Sequence, residues 1–260
     1  FYLCKDKLGA IDTGGSMFFH LFGGITGIVI SLLLFTKKEE RKKILSNQHK
    51  STNYMSTILA FIGTIFIWLL FPSFNSVLIK GKYIFPSRYR AIVNTYLSMC
   101  GSVIGSFSIN PIFNEGKMEI IQMLNASYVG GVIIGSCSNV CGYAWAALLI
   151  GIIGGALSSL GMSLLKKKCD EKAYMEDILG IVHVFIIPGF LSGILSSIFV
   201  ADLSNIKSYI GNDNQKFIDI YEEYGLKGDN DSKSLRLPAS LQIAALFITL
   251  GISFFSAIII

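Results

Sequence analysis

Seven apolar runs of membrane-spanning length constrain what this 260-residue chain can fold into. A hydrocarbon core is crossed by a helix of about 20 apolar residues. Windows of that length fall at 14–35, 54–71, 90–109, 119–137, 143–165, 178–201 and 238–260. Composition agrees, because 52% apolar residues against 15% charged ones do not describe a soluble domain of this size. The expected fold class is an all-α polytopic membrane protein, and an odd number of spans places its termini on opposite sides.

The chain opens at Phe1 with neither an initiator methionine nor the regions of a signal peptide, and it closes in the apolar run SAIII, so it reads as the retained part of something longer. Basic residues set the orientation. KKEERKK (37–43) and KKKCDEK (166–172) carry five and four of them, whereas the loop around Ser138 to Gly142 carries none, so the first two belong in the cytosol. The segment IKGKYIFPSRYR (79–90) opposes this, with four basic residues on the side that must then be outside. The net charge of +5 arises largely in these loops, which points to anionic lipid headgroups and gives no case for nucleic acid. The long hydrophilic stretch 202–236 is expected to be an extracellular loop, and its Asn230-Asp231-Ser232 forms a glycosylation sequon. Cys137 and Cys141 flank a tight outer loop, where either a disulfide or two buried thiols would fit. No CxxC metal pattern is present.

The stretch IDTGGSMFFHLFGG (11–24) puts Asp12 and His20 into a run apolar enough to cross a bilayer. An ionisable group facing lipid is strongly disfavoured, so both must face something polar or something that passes. The sixth run repeats the pattern: Asp12 precedes His20 by eight residues and LFGG follows, while Asp177 precedes Phe185 by eight and IIPG follows. The intervening number of spans makes the two copies inverted, an architecture in which transporters hold their cargo where the repeats meet. A carboxylate at a helix start accepts free backbone N–H groups, which gives Asp12 and Asp177 an ordinary capping role. The depth of His20 leaves it no such role. The glycines at 130, 131 and 135, at 151, 154 and 155, and at 189 and 193 read as close helix–helix contacts.

These residues match a known family. In DTGGSMFFHLFGG (12–24), IGTIFIWLLFPSFNS (62–76), RAIVNTYLS (90–98), LNASYVGGVIIG (124–135) and AALLIGIIGGALSSLG (146–161) the chain resembles the Rh glycoproteins of the ammonium transporter superfamily. The resemblance rests on motifs over 12–201 and on hydropathy alone over 238–260. It implies that residues 1–260 form the C-terminal part of an ammonium transporter-like membrane domain, the seven spans running from the fifth helix of an eleven-helix core to the last. It further implies a homotrimer in a membrane such as the plasma membrane, with one apolar pore in each subunit, conducting ammonia or ammonium without a cofactor, a metal or a catalytic group.

In that family two histidines, one on each inverted helix, bridge the pore. His20 matches the first, and the place of the second, three residues before Pro188, holds Phe185. His183 lies two residues earlier, about 200° around an α-helix. Phe74 in PSFNS matches the inner aromatic of the gate over the outer pore entrance, where a ring attracts an entering cation; core packing is its ordinary alternative. Asp12, Asp177 and Asn75 are expected to act in structure or recruitment. A neutral imidazole both accepts and donates a hydrogen bond, so His20 can hold ammonia or pass a proton, and with Phe185 opposite it a two-histidine proton wire is broken. Two other classes stay open: a non-conducting Rh-like scaffold, and a channel for another small neutral gas such as carbon dioxide. FLSG (190–193) is similar to a serine-protease nucleophile turn but lacks the first glycine, and the chain is not expected to be an enzyme.

Overall fold

A computed structural model describes residue 4, residues 9–34, 54–79, 84–114, 116–166, residue 177, and residues 180–210 and 239–259. Seven helices run through them. Helix α1 opens in π geometry over Ser16–Leu21 and continues over Phe22–Leu34; α2 is Tyr54–Val77, α3 Ile84–Phe113 and α4 Ile120–Gly135. Helix α5 is Ala144–Leu160 with a π extension over Gly161–Lys166. Helix α6 opens in π geometry over Val182–Ile186 and continues over Ile187–Ile210, and α7 is Ala239–Ile259. Among the described residues there is no strand, and six helices are long and apolar enough to cross a membrane.

The exception is α4. Its 16 residues rise about 24 Å, short of a hydrocarbon core of about 30 Å. The expected span 119–137 overshoots because the chain leaves the helix at Gly135 and stays buried through Ser136 to Cys141. Buried irregular backbone is tolerated only where its polar groups are paired. Asn94 Nδ2 donates to the carbonyls of Ser138 and Cys141, each at 2.8 Å, and Gly14 N donates to the Gly135 carbonyl at 2.9 Å. Cys137 and Cys141 are buried free thiols.

Two further boundaries differ from expectation. Helix α2 runs through Pro72 to Val77 instead of stopping at residue 71, because buried Asn75 ties the segment beyond the proline to its neighbours. Helix α3 begins at Ile84 instead of residue 90, taking Arg88 and Arg90 out of the expected loop. The Arg88 guanidinium donates to the carbonyls of Val77 and Ile79 at the end of α2, and Arg90 donates to the Asn139 carbonyl. Arg88 thus caps the end of α2, and Arg90 ties down the turn that follows α4. The hydrophilic stretch expected to start at residue 202 is helical as far as Ile210. The rest of it, Asn230 and the basic segment 37–43 lie outside the described residues, as does nearly all of 166–172.

Helix α4 is the centre of the bundle, packed on α2, α3, α5 and α6. Small and hydroxylated side chains bring the backbones together. Gly151 and Gly155 of α5 rest on the carbonyls of Ser98 and Ser102 of α3, and those serines donate to the carbonyls of Gly130 and Ala126 on α4. The sequence reading of these glycines as packing positions agrees with this geometry. Large apolar side chains instead point outward on α2, α3, α5 and α7.

Candidate functional site

The starts of α1 and α6 are built alike. Three residues after each aspartate stands a glycine in the left-handed region, Gly15 with φ 68° and Gly180 with φ 73°. A side chain there would be strained, and an added Cβ would collide with the Phe19 ring in one copy and the His183 ring in the other. Asp12 Oδ2 accepts the backbone N–H groups of Met17 and Phe18 at 3.0 and 2.8 Å. Asp177 accepts those of Ile181 and Val182 at 2.6 and 3.0 Å. Each carboxylate thus satisfies donors that a helix start leaves free. Asp12 also accepts the Ser136 hydroxyl at 2.7 Å. Burial pushes its carboxyl up to about 6, against the opposing hydrogen bonds from Ser136, Phe18, Ser16 and Met17.

His20 and Phe185 each stand five residues past the left-handed glycine, and π geometry carries both. The two helices cross there with reciprocal contacts. Gly24, four residues after His20, would place a Cβ 2.7 Å from Ile186; Gly189, four residues after Phe185, would place one 3.1 Å from Leu21. Each glycine therefore makes room for the residue that follows the other copy's central ring. The inverted repeat read from sequence is present as a two-fold packing relation. The α-helical spacing assumed from Asp12 to His20 is not: residues 12–15 are not helical, and His20 lies in the first turn of α1. Its depth comes from the burial of the whole lead-in segment, Ala10 to Phe18 apart from Gly9 before it.

Three phenyl rings surround the imidazole. His20 stacks on Phe185 with ring centroids 5.5 Å apart and 18° between planes, and on Phe71 at 5.8 Å and 17°. Phe74 approaches at 5.9 Å, tilted by 57°, and meets Phe71 edge-on at 6.0 Å. Imidazole Nε2 is buried with no hydrogen-bond partner among the described residues. An unpaired buried polar atom is unfavourable, and this one is left able to accept a hydrogen bond. Phe74, expected at the outer mouth by resemblance, is in direct ring contact with His20, and at 43% exposure it is the most open of the four rings.

Phe71 escaped the sequence reading. The signal was available: it precedes Phe74 by three residues, which places both on one face of α2. His183 is buried and packs between Gly161 and Gly180. Asn75 is fully buried; its Nδ2 donates to Thr95 Oγ1 at 3.1 Å and to the Gly131 carbonyl at 3.0 Å. Beside it, Thr13 Oγ1 lies 3.0 Å from both the Gly135 carbonyl and Ser138 Oγ. Asn75 and Asp12 thus belong to one polar layer between α1, α2 and the end of α4. Among the described residues no group of three or more His, Cys, Asp and Glu side chains is placed to hold a metal ion.

Comparison with known proteins gives this arrangement its relatives. Residues 4–260 match the Ammonium Transporter Family. Ammonium transporter Rh type C of Homo sapiens is 30% identical, over 100% of this chain and 51% of that protein. Ammonium transporter Rh type B of Danio rerio is also 30% identical, over 99% and 53%. The solved structure of Nitrosomonas europaea Rh50 is 26% identical and superposes with a TM-score of 0.73, covering 99% of this chain and 57% of that one. Mep2 of Saccharomyces cerevisiae, 17% identical, shares the fold with a TM-score of 0.69 over 97% of this chain and 50% of its own. The chain spans about half the length of the curated relatives it matches.

Proposed function

Because this chain belongs to the Ammonium Transporter Family, we propose that it forms part of a membrane channel conducting ammonia or ammonium along an apolar path past His20. The observation that carries this reading is the imidazole itself: a half-buried ring whose buried Nε2 has no partner among the described residues, surrounded by phenyl rings within 6.0 Å. Such a nitrogen can accept a hydrogen bond from a small passing donor, while the rings supply no oxygen ligands to replace the hydration shell of a sodium or potassium ion. Phe74 is the gate ring, half-open to its surroundings and able to attract an arriving cation. Asp12, Asp177 and Asn75 hold the two half-helices and α2 in place around the path. The ring stacked on His20 at Phe185 has no hydrogen-bonding atom, so the relay lacks a second member and the species that passes is neutral ammonia. On this reading the protein works as a homotrimer in the plasma membrane.

One observation favours a second reading. Phe185 and Phe71 both stack on the imidazole, an arrangement that also suits a closed path and a scaffold role. Flux separates the two. The full-length protein in proteoliposomes is expected to give an ammonia-driven pH change, and His20→Ala to lower the uncharged flux about tenfold. A wild type no faster than empty liposomes overturns the channel reading.

A further inference from the structure

Phe71 is held more tightly than Phe74: it is 7% exposed against 43%. The reason lies on α4. A Cβ at Gly131 would stand 2.5 Å from Phe71 Cε1, 2.6 Å from Cδ1 and 2.9 Å from Cζ, so the phenyl ring rests on a bare α-carbon. The same glycine's carbonyl accepts Asn75 Nδ2, one helical turn further along α2. Between them Pro72 removes an N–H from the α2 ladder, which leaves the Phe71 turn one backbone bond short and dependent on its tie to α4. Gly131 therefore fixes α2 at two points, and the ring it receives stacks on His20 with centroids 5.8 Å apart.

Resting on the conduction reading, we infer that Gly131 is a positioning residue for size selectivity: it sets how far Phe71 stands from His20, and so the width beside the imidazole. Phe71 is the fixed wall of that passage and Phe74 the ring that yields. Any side chain at position 131 drives the fixed wall toward His20. In a close-packed interior such a displacement is not absorbed locally.

The test uses ammonia and methylamine, which differ by one methyl group, with flux measured on the full-length protein in proteoliposomes at matched protein content. Gly131→Ala is expected to lower methylamine flux about tenfold and ammonia flux about threefold, which changes their ratio about threefold. Adding Phe71→Leu to that variant removes the colliding ring atoms and should return both fluxes to near the wild-type values. A general packing defect would lower both fluxes together and leave the ratio unchanged. Phe71→Leu alone keeps the inference testable if Gly131→Ala does not insert: it should raise the methylamine-to-ammonia ratio about threefold. An unchanged ratio in Gly131→Ala, no recovery in the double variant, or an unchanged ratio in Phe71→Leu alone overturns the role given to Gly131 while leaving conduction intact. A wild type silent for both amines overturns the conduction reading and this role with it.

Discussion

The starts of α1 and α6 share their backbone and differ in their chemistry. Both have an aspartate, a left-handed glycine three residues later, a π-turn, a central ring five residues past the glycine, and a second glycine four residues further on that receives the other copy. Yet the central ring is an imidazole in one and a phenyl in the other. Backbone requirements at these positions are steric and are met by glycine and a capping carboxylate whatever the central ring does. The central ring is free to change because stacking, unlike hydrogen bonding, is equally available to His and Phe. The two aspartates also differ: Asp12 reaches across to Ser136 on the segment after α4, whereas among the described residues Asp177 accepts side-chain hydrogen bonds only from Ile181 and Val182 in its own helix start.

That asymmetry predicts the largest effect. Asp12→Ala strands two backbone donors and a hydroxyl in a buried layer and should destabilise the protein by about 3–5 kcal/mol. Asp177→Ala strands two donors and should cost about 2–3 kcal/mol. Thermal unfolding in detergent checks both, and equal losses would break the comparison by showing that the Ser136 tie contributes nothing.

The next effect is a pH dependence peculiar to α1. The folded-state pKa of Asp12, about 6, lies above its ordinary 3.8, so the folded protein binds this proton more tightly than the unfolded chain. The stabilisation is fully present below pH 3.8 and is lost as pH rises through about 6, a change of up to about 3 kcal/mol. Asp12→Asn keeps an acceptor for Met17 and Phe18, can donate to Ser136, and has no proton to lose. The difference between wild-type and Asn unfolding curves should therefore shift in favour of Asn across that window, and a pH-independent difference would show that Asp12 does not titrate there.

The smallest effect concerns the one position where the copies part. Phe185→His restores a second nitrogen opposite His20 and should raise the ammonium-evoked current about tenfold, about 1.4 kcal/mol in barrier, over a small wild-type value. If Phe185 instead plugs the path, the wild type is silent and Phe185→Ala opens it as well as His does. A large wild-type current lost on His20→Ala would mean that one histidine moves charge unaided.

What the sequence determined was the set of apolar helices and the inverted pairing of Asp12 with Asp177 and of His20 with Phe185. These follow from local properties: apolar run length, spacing along the chain and the donor-rich helix start. Only the tertiary structure decided that α4 stops at Gly135, because a buried turn there is paid for by Asn94, Gly14 and other partners distant in sequence. It alone decided that Arg88 caps the end of α2 and Arg90 holds the turn after α4, and that His183 packs on Gly161 and Gly180. It also brought Phe71 onto His20, since that contact depends on an α-carbon 60 residues away leaving room for a ring. Periodicity places a residue on a face of its own helix, but which helix meets that face, and how closely, is fixed by the packing of all seven together.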